Sequence, residues 1–442
     1  MNAANESNPS SSIDRRTVLG GVAAAGAGAF VGSAGLAGPA DASGPSTRGV
    51  SQHAIDRITA QLEGDLIQVR RAIHRRPELA GREEHTAALV AERLRRAGLR
   101  PEFKGGHGVV ALLEGRYPGR TIAYRADMDA VPPEGQLEPR AAAREAAHHC
   151  GHDLHTAIGV GIAEVLARLR ERLHGDVLFL FQPAEEALTG AQAMIKDRVL
   201  DEPHRPDEIY ALHCFSFPSG TMGIFPGGGL AGQDEFTIPL SGPDAATRAA
   251  RLAERITALG TVQTPRSAAG VEEMVEWMLR PDSPLAEFVY ARARAETGKD
   301  GAVTVKGSYR CWPEPRWTSL RAEIRGLAAA EDAGVPAFPS EPFPAMINDP
   351  RLSELASRHF RRSLGPRRVL PNYACYPFGG EDFTWFLKEV PGAMFWLGIR
   401  PEGGGIWEAL PHSTTFTPDE RAIGAGVRAM AGLLSDRAAR RR

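Results

Sequence analysis

Apolar residues at Ile55, Ile58, Leu62, Leu66, Val69 and Ile73 recur every three to four positions, the spacing of one face of an α-helix. Pro77 ends the pattern. A second helix is predicted over 86–97. Short apolar runs at 109–113, 121–124, 177–181, 209–212 and 394–397 read as buried strands, and helical spacing returns at 157–169, at 352–364 and from 419 onward. Strands alternating with helices predict an α/β fold, with a mostly parallel sheet flanked by helices. In such sheets functional residues gather beyond the carboxyl ends of strands. Polar clusters stand at those ends here: Asp127-Met128-Asp129, Pro183-Ala184-Glu185-Glu186, and His213.

Between 234 and 337 the texture changes to a strand at 236–240, a helix at 245–259, a helix near 285–295, a strand at 303–309 and a helix near 319–330. This segment lacks the clustered His, Cys and paired acids and reads as a smaller α+β lid domain inserted into the first. The proline-rich stretch 336–344 is the expected return linker. A chain of 442 residues exceeds what one core usually supports, so 43–233 and 338–442 are expected to form one domain and 234–337 another. Homodimerisation through the inserted domain is a further expectation.

Composition narrows the classes. With 43% hydrophobic and 24% charged residues and a formal net charge of -2, the chain has ordinary globular character and no basic element of the kind nucleic acid requires. Residues 1–42 read as an address. Arg15-Arg16 precede Thr-Val-Leu, an Ala/Gly-rich stretch over 20–38 and the small-x-small site Ala40-Asp41-Ala42, the order of a twin-arginine-type export signal. A periplasmic or extracellular mature protein beginning near Ser43 is expected. No later segment offers the ~18 consecutive apolar residues of a membrane span. The four cysteines, Cys150, Cys214, Cys311 and Cys375, are too few and too scattered for a disulfide scaffold, so chemistry is the better use for one of them.

That chemistry is signalled by His148-His149-Cys150-Gly151-His152-Asp153-Leu154-His155-Thr156, where thiol and imidazole donors crowd a few positions as in metal sites. Gly151 lets Cys150 and His152 face one point, and a helix expected from Ala157 would lend positive potential to a Cys150 thiolate. Glu185 and Glu186 close a buried strand, where adjacent carboxylates repel unless a cation lies between them. One can then ligate metal while its neighbour takes a proton from the metal-bound water. His213 repeats the placement of a ligand at a strand end.

Six stretches, 73–79, 125–130, 150–157, 182–186, 379–383 and 410–412, appear in the order of a known family. On Ile73-His74-Arg75-Arg76-Pro77-Glu78-Leu79, Arg125-Ala126-Asp127-Met128-Asp129-Ala130, Cys150-Gly151-His152-Asp153, Gln182-Pro183-Ala184-Glu185-Glu186, Gly379-Gly380-Glu381-Asp382-Phe383 and Leu410-Pro411-His412, the chain resembles the amidohydrolase branch of the dinuclear metallopeptidases. That branch includes hippurate hydrolases, aminoacylases, carboxypeptidase G and hydrolases of indoleacetyl amino acids. The resemblance implies a zinc-exopeptidase-like fold with a lid. It implies that Cys150, His152, Glu186, His213 and His412 hold two divalent ions, the thiolate bridging, with Glu185 as general base. His412 enters only through the resemblance. Asp127 and Asp129 are expected to orient ligand imidazoles, and Glu381 to lie near the site.

The lid departs from the family pattern. Ser241-Gly242-Pro243-Asp244-Ala245-Ala246 carries Ala246 near the place of the family's oxyanion-steadying histidine, and the family's Asn-rich turn is not recognisable. Gly307-Ser308-Tyr309-Arg310 does match the Gly-Thr-x-Arg pattern, whose arginine is expected to pair with a substrate carboxylate. The function expected is hydrolysis of an N-acyl amino acid or similar carboxylate-bearing amide by metal-bound hydroxide, with zinc, manganese or cobalt as the ion. A dipeptidase or carboxypeptidase, and a non-catalytic metal-bearing binding protein, are the alternatives.

Overall fold

The computed structural model describes residues 49–132 and 146–440; the export signal expected over 1–42 lies outside them. The chain opens with α1 (Gln52–His74) and α2 (Glu84–Arg96), followed by β1 (Glu102–Lys104), β2 (Gly108–Glu114), β3 (Tyr117–Asp127), α3 (His152–Arg168) and β4 (His174–Gln182). Next come α4 (Gly190–Lys196), β5 (Glu208–Pro218), β6 (Met222–Ile224) and β7 (Gly229–Leu230). The inserted segment holds β8 (Asp234–Leu240), α5 (Ala245–Thr257), α6 (Ala268–Met278), β9 (Phe288–Thr297), β10 (Val303–Trp312) and α7 (Trp317–Ala330). The chain returns through β11 (Met346–Ile347), α8 (Pro350–Ser363), β12 (Val369–Pro371), α9 (Phe383–Glu389), β13 (Gly392–Arg400) and α10 (Ala422–Ala438).

The main sheet has strand order β1-β2-β4-β3-β5-β13-β6-β12. Its centre, β4-β3-β5-β13, is parallel, as the continuous apolar runs require, because helices cover both faces. Side chains of a strand alternate between faces. Thus Ile122, Tyr124, Val177, Phe179, Tyr210 and Leu212 pack with α1, α3 and α10, while Ala123, Leu178, Leu180, Ile209 and Ala211 join the core on the other side. Parallel strands put their carboxyl ends along one edge, where Asp127 and Gln182 sit in register.

The inserted segment forms a three-stranded antiparallel sheet, β8-β10-β9, whose core includes Phe236, Ile238, Leu252, Ile256, Val289, Val305 and Ile324. The helix expected near 285–295 is instead strand β9. Val289 and Ala291 point into the lid core while Arg292 and Arg294 stay out, a period of two that the spacing of Leu285 and Phe288 obscured. Helix α6 was not foreseen. Ser267 caps it by accepting from the Gly270 N–H, and Val271, Met274, Val275 and Met278 are buried at helical spacing. With Leu285 and Phe288 they pack beside Phe215 and Trp396 of the main domain, not in the lid core.

Boundaries nearer the site also differ. Helix α3 begins at His152 rather than near 157, because Gly151 takes the turn that the apolar pattern could not reveal. β5 runs on to Pro218, so His213 lies inside a strand and not at its end. All four cysteines are buried and free. Among the described residues no helix is long and apolar enough to cross a membrane.

Candidate active site

Gly151, with φ 96, is the residue before the first turn of α3. A Cβ there would stand 2.3 Å from the Cys214 Sγ, so glycine alone lets the chain turn between Cys150 and His152. The Cys150 Sγ then lies 3.5 Å from His213 Nε2. From the loop after β4, Glu186 places Oε1 3.7 Å from His152 Nε2 and 3.4 Å from His412 Nε2. The donor atoms of Cys150, His152 and His213 fall within 4.8 Å of one another, as do those of Cys150, Glu186 and His412, and those of His152, Glu185 and Glu186. The structure therefore gathers every residue expected to ligate, together with Glu185.

Neighbouring groups fix the imidazoles. His152 Nδ1 lies 2.9 Å from the Asp129 carbonyl and 3.2 Å from its Oδ1, so this nitrogen donates and Nε2 is the one left for a cation. Asp129 Oδ2 accepts from the Glu186 N–H at 2.9 Å, tying ligand imidazole and ligand carboxylate to one side chain. His213 Nδ1 donates to the Cys214 carbonyl at 2.8 Å, which turns its Nε2 toward Cys150. His152 Nε2 and Glu186 Oε1 are buried and have no hydrogen-bond partner. Such atoms are costly unless something else satisfies them. A divalent cation does, and a thiolate, imidazole and carboxylate donor set fits one.

His155, in the same motif, is not part of that set. Its Nδ1 pairs with Asp127 Oδ1 at 2.6 Å and its Nε2 accepts from the Cys214 N–H at 2.8 Å, so both nitrogens are engaged. Asp127 also accepts from Arg125 Nη1 at 2.5 Å. It lies 3.8 Å from His152 Nε2, and so acts on that imidazole through charge while it orients His155.

Carboxylates dominate the electrostatics. Burial works against a charged His152, but Asp127 and Asp129 outweigh it and raise its pKa to about 10. Uptake of a cation at Nε2 therefore displaces a proton. Burial, then Glu381 and Glu186, push the Glu185 carboxyl well above the usual range. Burial likewise raises the Cys150 thiol, with Glu186 adding to it. The surrounding carboxylates add to each of these shifts, and a cation at the donor cluster opposes each.

A model described as Peptidase family M20/M25/M40 matches residues 123–436, a span that holds every one of these donors. The chain belongs to this family. It is 30% identical over 390 residues to a thermostable carboxypeptidase of Saccharolobus solfataricus, covering 84% of this chain and 95% of that protein. It is 30% identical over 377 residues to an N-acetyldiaminopimelate deacetylase of Exiguobacterium sibiricum, covering 81% of this chain and 95% of the relative. Among solved structures, a dinuclear metal-binding peptidase of the M20 family from Bacillus subtilis superposes with a TM-score of 0.64 at 27% identity, covering 85% of this chain and 98% of the other. The M20 protein described here is thus a metal-dependent hydrolase of the amidohydrolase and peptidase kind.

Sequence reasoning gave no role to Arg125. The guanidinium, wholly buried, donates to Gln182 Oε1 at 2.8 Å, Asp127 at 2.5 Å, Glu381 at 3.0 Å and Asp382 at 3.2 Å. Burial raises the Asp382 carboxyl to about 7, with Glu381 adding to the rise against the pull of Arg125. The only signal in the sequence was an arginine within the apolar run of β3, two positions before Asp127. Glu381, expected near the site, is held there by Arg125 and also accepts from the Phe383 N–H at the start of α9.

Arg310 of the M20 lid is buried, yet its guanidinium meets only neutral acceptors, the Ala231 carbonyl at 3.0 Å and Gln233 Oε1 at 2.6 Å. No carboxylate pairs with it among the described residues, and burial lowers its pKa to about 10. A Cβ on Gly380 would stand 3.3 Å from Arg310 Nη2 and 3.4 Å from Leu188 Cδ1. The cation thus abuts the turn before Glu381.

Proposed function

We propose that this M20 enzyme hydrolyses the amide bond of an N-acyl amino acid or a similar amide bearing a carboxylate. Cys150, His152, Glu186, His213 and His412 would hold two divalent ions, Cys150 belonging to both donor groups. The observation that carries the reading is the pair of buried, unpartnered donor atoms, His152 Nε2 and Glu186 Oε1, at the centre of that cluster. Bound ions supply Lewis acidity that polarises an amide carbonyl and acidifies a water. Thiolate and imidazole suit zinc, and the carboxylate also suits manganese or cobalt.

The chain's own groups do the rest. Glu185 takes the proton of the attacking water and delivers it to the leaving nitrogen, a role suited to a carboxylate set beside the donor cluster. Asp129 holds His152 and the Glu186 backbone in place. Arg310, a buried cation lacking an anionic partner among the described residues, binds the substrate carboxylate. The relatives named as a deacetylase and a carboxypeptidase support amide cleavage; the latter also favours a second reading, removal of a C-terminal residue from a peptide.

Metal-replete protein assayed on N-acyl amino acids, their amide analogues and free dipeptides tests both readings. Acylated amino acids are expected to react best, and exclusive cleavage of dipeptides would replace the first reading by the second. In the same assay Arg310→Ala is expected to lower kcat/KM for free acids by ~10- to 100-fold, the value of a hydrogen bond to a charged group, and to spare the amides. Equal losses for acids and amides would remove the anchoring role.

We further propose that residues 1–42 send the protein out of the cytoplasm by a twin-arginine-type route, on the strength of Arg15-Arg16 and the stretch that follows. A reporter fused to residues 1–45 is expected to be exported, and to stay inside when Arg15 and Arg16 are both replaced by lysine. Export surviving that change would point to another route.

A further inference from the structure

Glu83 stands where a helix cap belongs, and its side chain does not cap. It precedes α2, yet its carboxylate makes no bond to that helix's first turn. Glu78 does so instead: its Oε1 accepts from the His85 N–H, and its Oε2 from the Thr86 N–H and hydroxyl, each at 2.9 Å. Freed from capping, Glu83 is fully buried and sends Oε1 to two backbone N–H groups, those of Gly81 and Ala184, each at 2.8 Å. Its Oε2 is buried with no hydrogen-bond partner. Burying a carboxylate this way costs stability, and α2 gains no cap from it.

The far end of the bond explains the arrangement. Ala184 has φ 52 and Leu188 φ 55, left-handed conformations that disfavour residues with a side chain and persist only where surroundings hold them. The loop between them carries Glu185 and Glu186. The Ala184 carbonyl accepts from the Thr189 and Gly190 N–H groups, and the Glu185 carbonyl from the Leu188 N–H. Glu83 grips the Ala184 N–H on one side of Glu185, and Asp129 grips the Glu186 N–H on the other.

We propose that Glu83 is a positioning residue for the reaction, holding the Ala184 turn in its left-handed form so that Glu185 and Glu186 face the donor cluster. The catalytic part of this rests on the amide hydrolysis of the proposed function. Its effect on metal retention rests only on the donor cluster holding metal. Without the grip the turn relaxes toward an ordinary conformation, and both carboxylates shift together. A displacement of about 1 Å at a catalytic group costs on the order of a hundred-fold in rate, and loss of a group that orients metal ligands weakens metal binding ~10- to 100-fold.

The test compares three variants of the full protein by kcat, KM, thermal midpoint and the rate at which zinc passes to a chromogenic chelator. Glu83→Ala is expected to lower kcat by ~10- to 100-fold with KM within about three-fold, and to release zinc ~10-fold faster. Glu83→Gln keeps the accepting oxygen and should match wild type on both. Glu78→Ala removes the α2 cap without touching the Ala184 turn, so it should lower the thermal midpoint and leave kcat and zinc release unchanged. The proposal is overturned if Glu83→Ala loses only thermal stability, if Glu78→Ala reproduces its kinetic defect, or if Glu83→Gln is as impaired as Glu83→Ala. Should the wild type hydrolyse no amide substrate, the functional reading fails by itself, and zinc release still decides the role of Glu83.

Discussion

Glu185→Gln is expected to retain its metal ions and lose ~10²- to 10⁴-fold in kcat, the range attributed to general acid–base catalysis. Glu185 is 4% exposed and sets Oε2 3.8 Å from His152 Nε2, beside the donors without being needed to complete the Cys150 groups. An amide of the same shape fills the same space but cannot accept a proton. Elemental analysis separates this loss from loss of metal. Glu186→Gln is the contrast, since it replaces a donor oxygen between His152 and His412 and should reduce bound metal. Unchanged turnover in metal-replete Glu185→Gln would assign the base to another group.

Arg125→Met should cost ~3–5 kcal/mol of stability, the penalty for removing one partner of a buried ionic network. Asp127, Glu381 and Asp382 all lean on this guanidinium, with Gln182 as the neutral member. Without it the Glu381 and Asp382 carboxyls, which burial already raises, remain buried and titrate still further above their unfolded values. A group whose folded pKa is raised favours the folded state below the unfolded pKa and loses that contribution as pH rises through the folded pKa. The deficit should therefore shrink on acidification from pH 8 toward pH 5, since the Asp382 carboxyl already stands at about 7 with Arg125 present. Thermal melts at both pH values measure this, and Arg125→Lys, which keeps charge but not the fork, should fall between. A melting temperature for Arg125→Met within a degree or two of wild type would show that the network contributes little to folding.

The legible parts of the site were those whose chemistry lies within a few residues. Cys150-Gly151-His152 and Glu185-Glu186 announce themselves because a metal site draws unlike donors together locally, and acids at a buried strand end demand a cation. Asp129 contacts the His152 imidazole as expected of an orienting acid, whereas Asp127 bonds His155 and meets His152 only through space. His412 was different. Its loop carries no neighbouring donor, so only family resemblance singled it out before the structure set its Nε2 3.4 Å from Glu186. The lid was the least legible region. A strand of alternating Arg and Ala carries a weak apolar signal, and α6 buries its face against the main domain rather than against the lid that surrounds it in sequence.

Outside the lid, the sequence by itself determined which segments are buried and with what period, because apolar alternation is a local property that each strand or helix carries independently. It also determined the donor chemistry, since residue types do not change on folding. The tertiary structure decided which distant groups meet. Strand order β4-β3-β5-β13 brings Asp127, Gln182 and His213 to one edge, and the return of the chain through Glu381 and Asp382 gives Arg125 partners that are 256 and 257 positions away. No local pattern encodes such pairings. They follow from how the covered faces of the sheet pack, and only then does a buried arginine become the centre of the acids around a metal site.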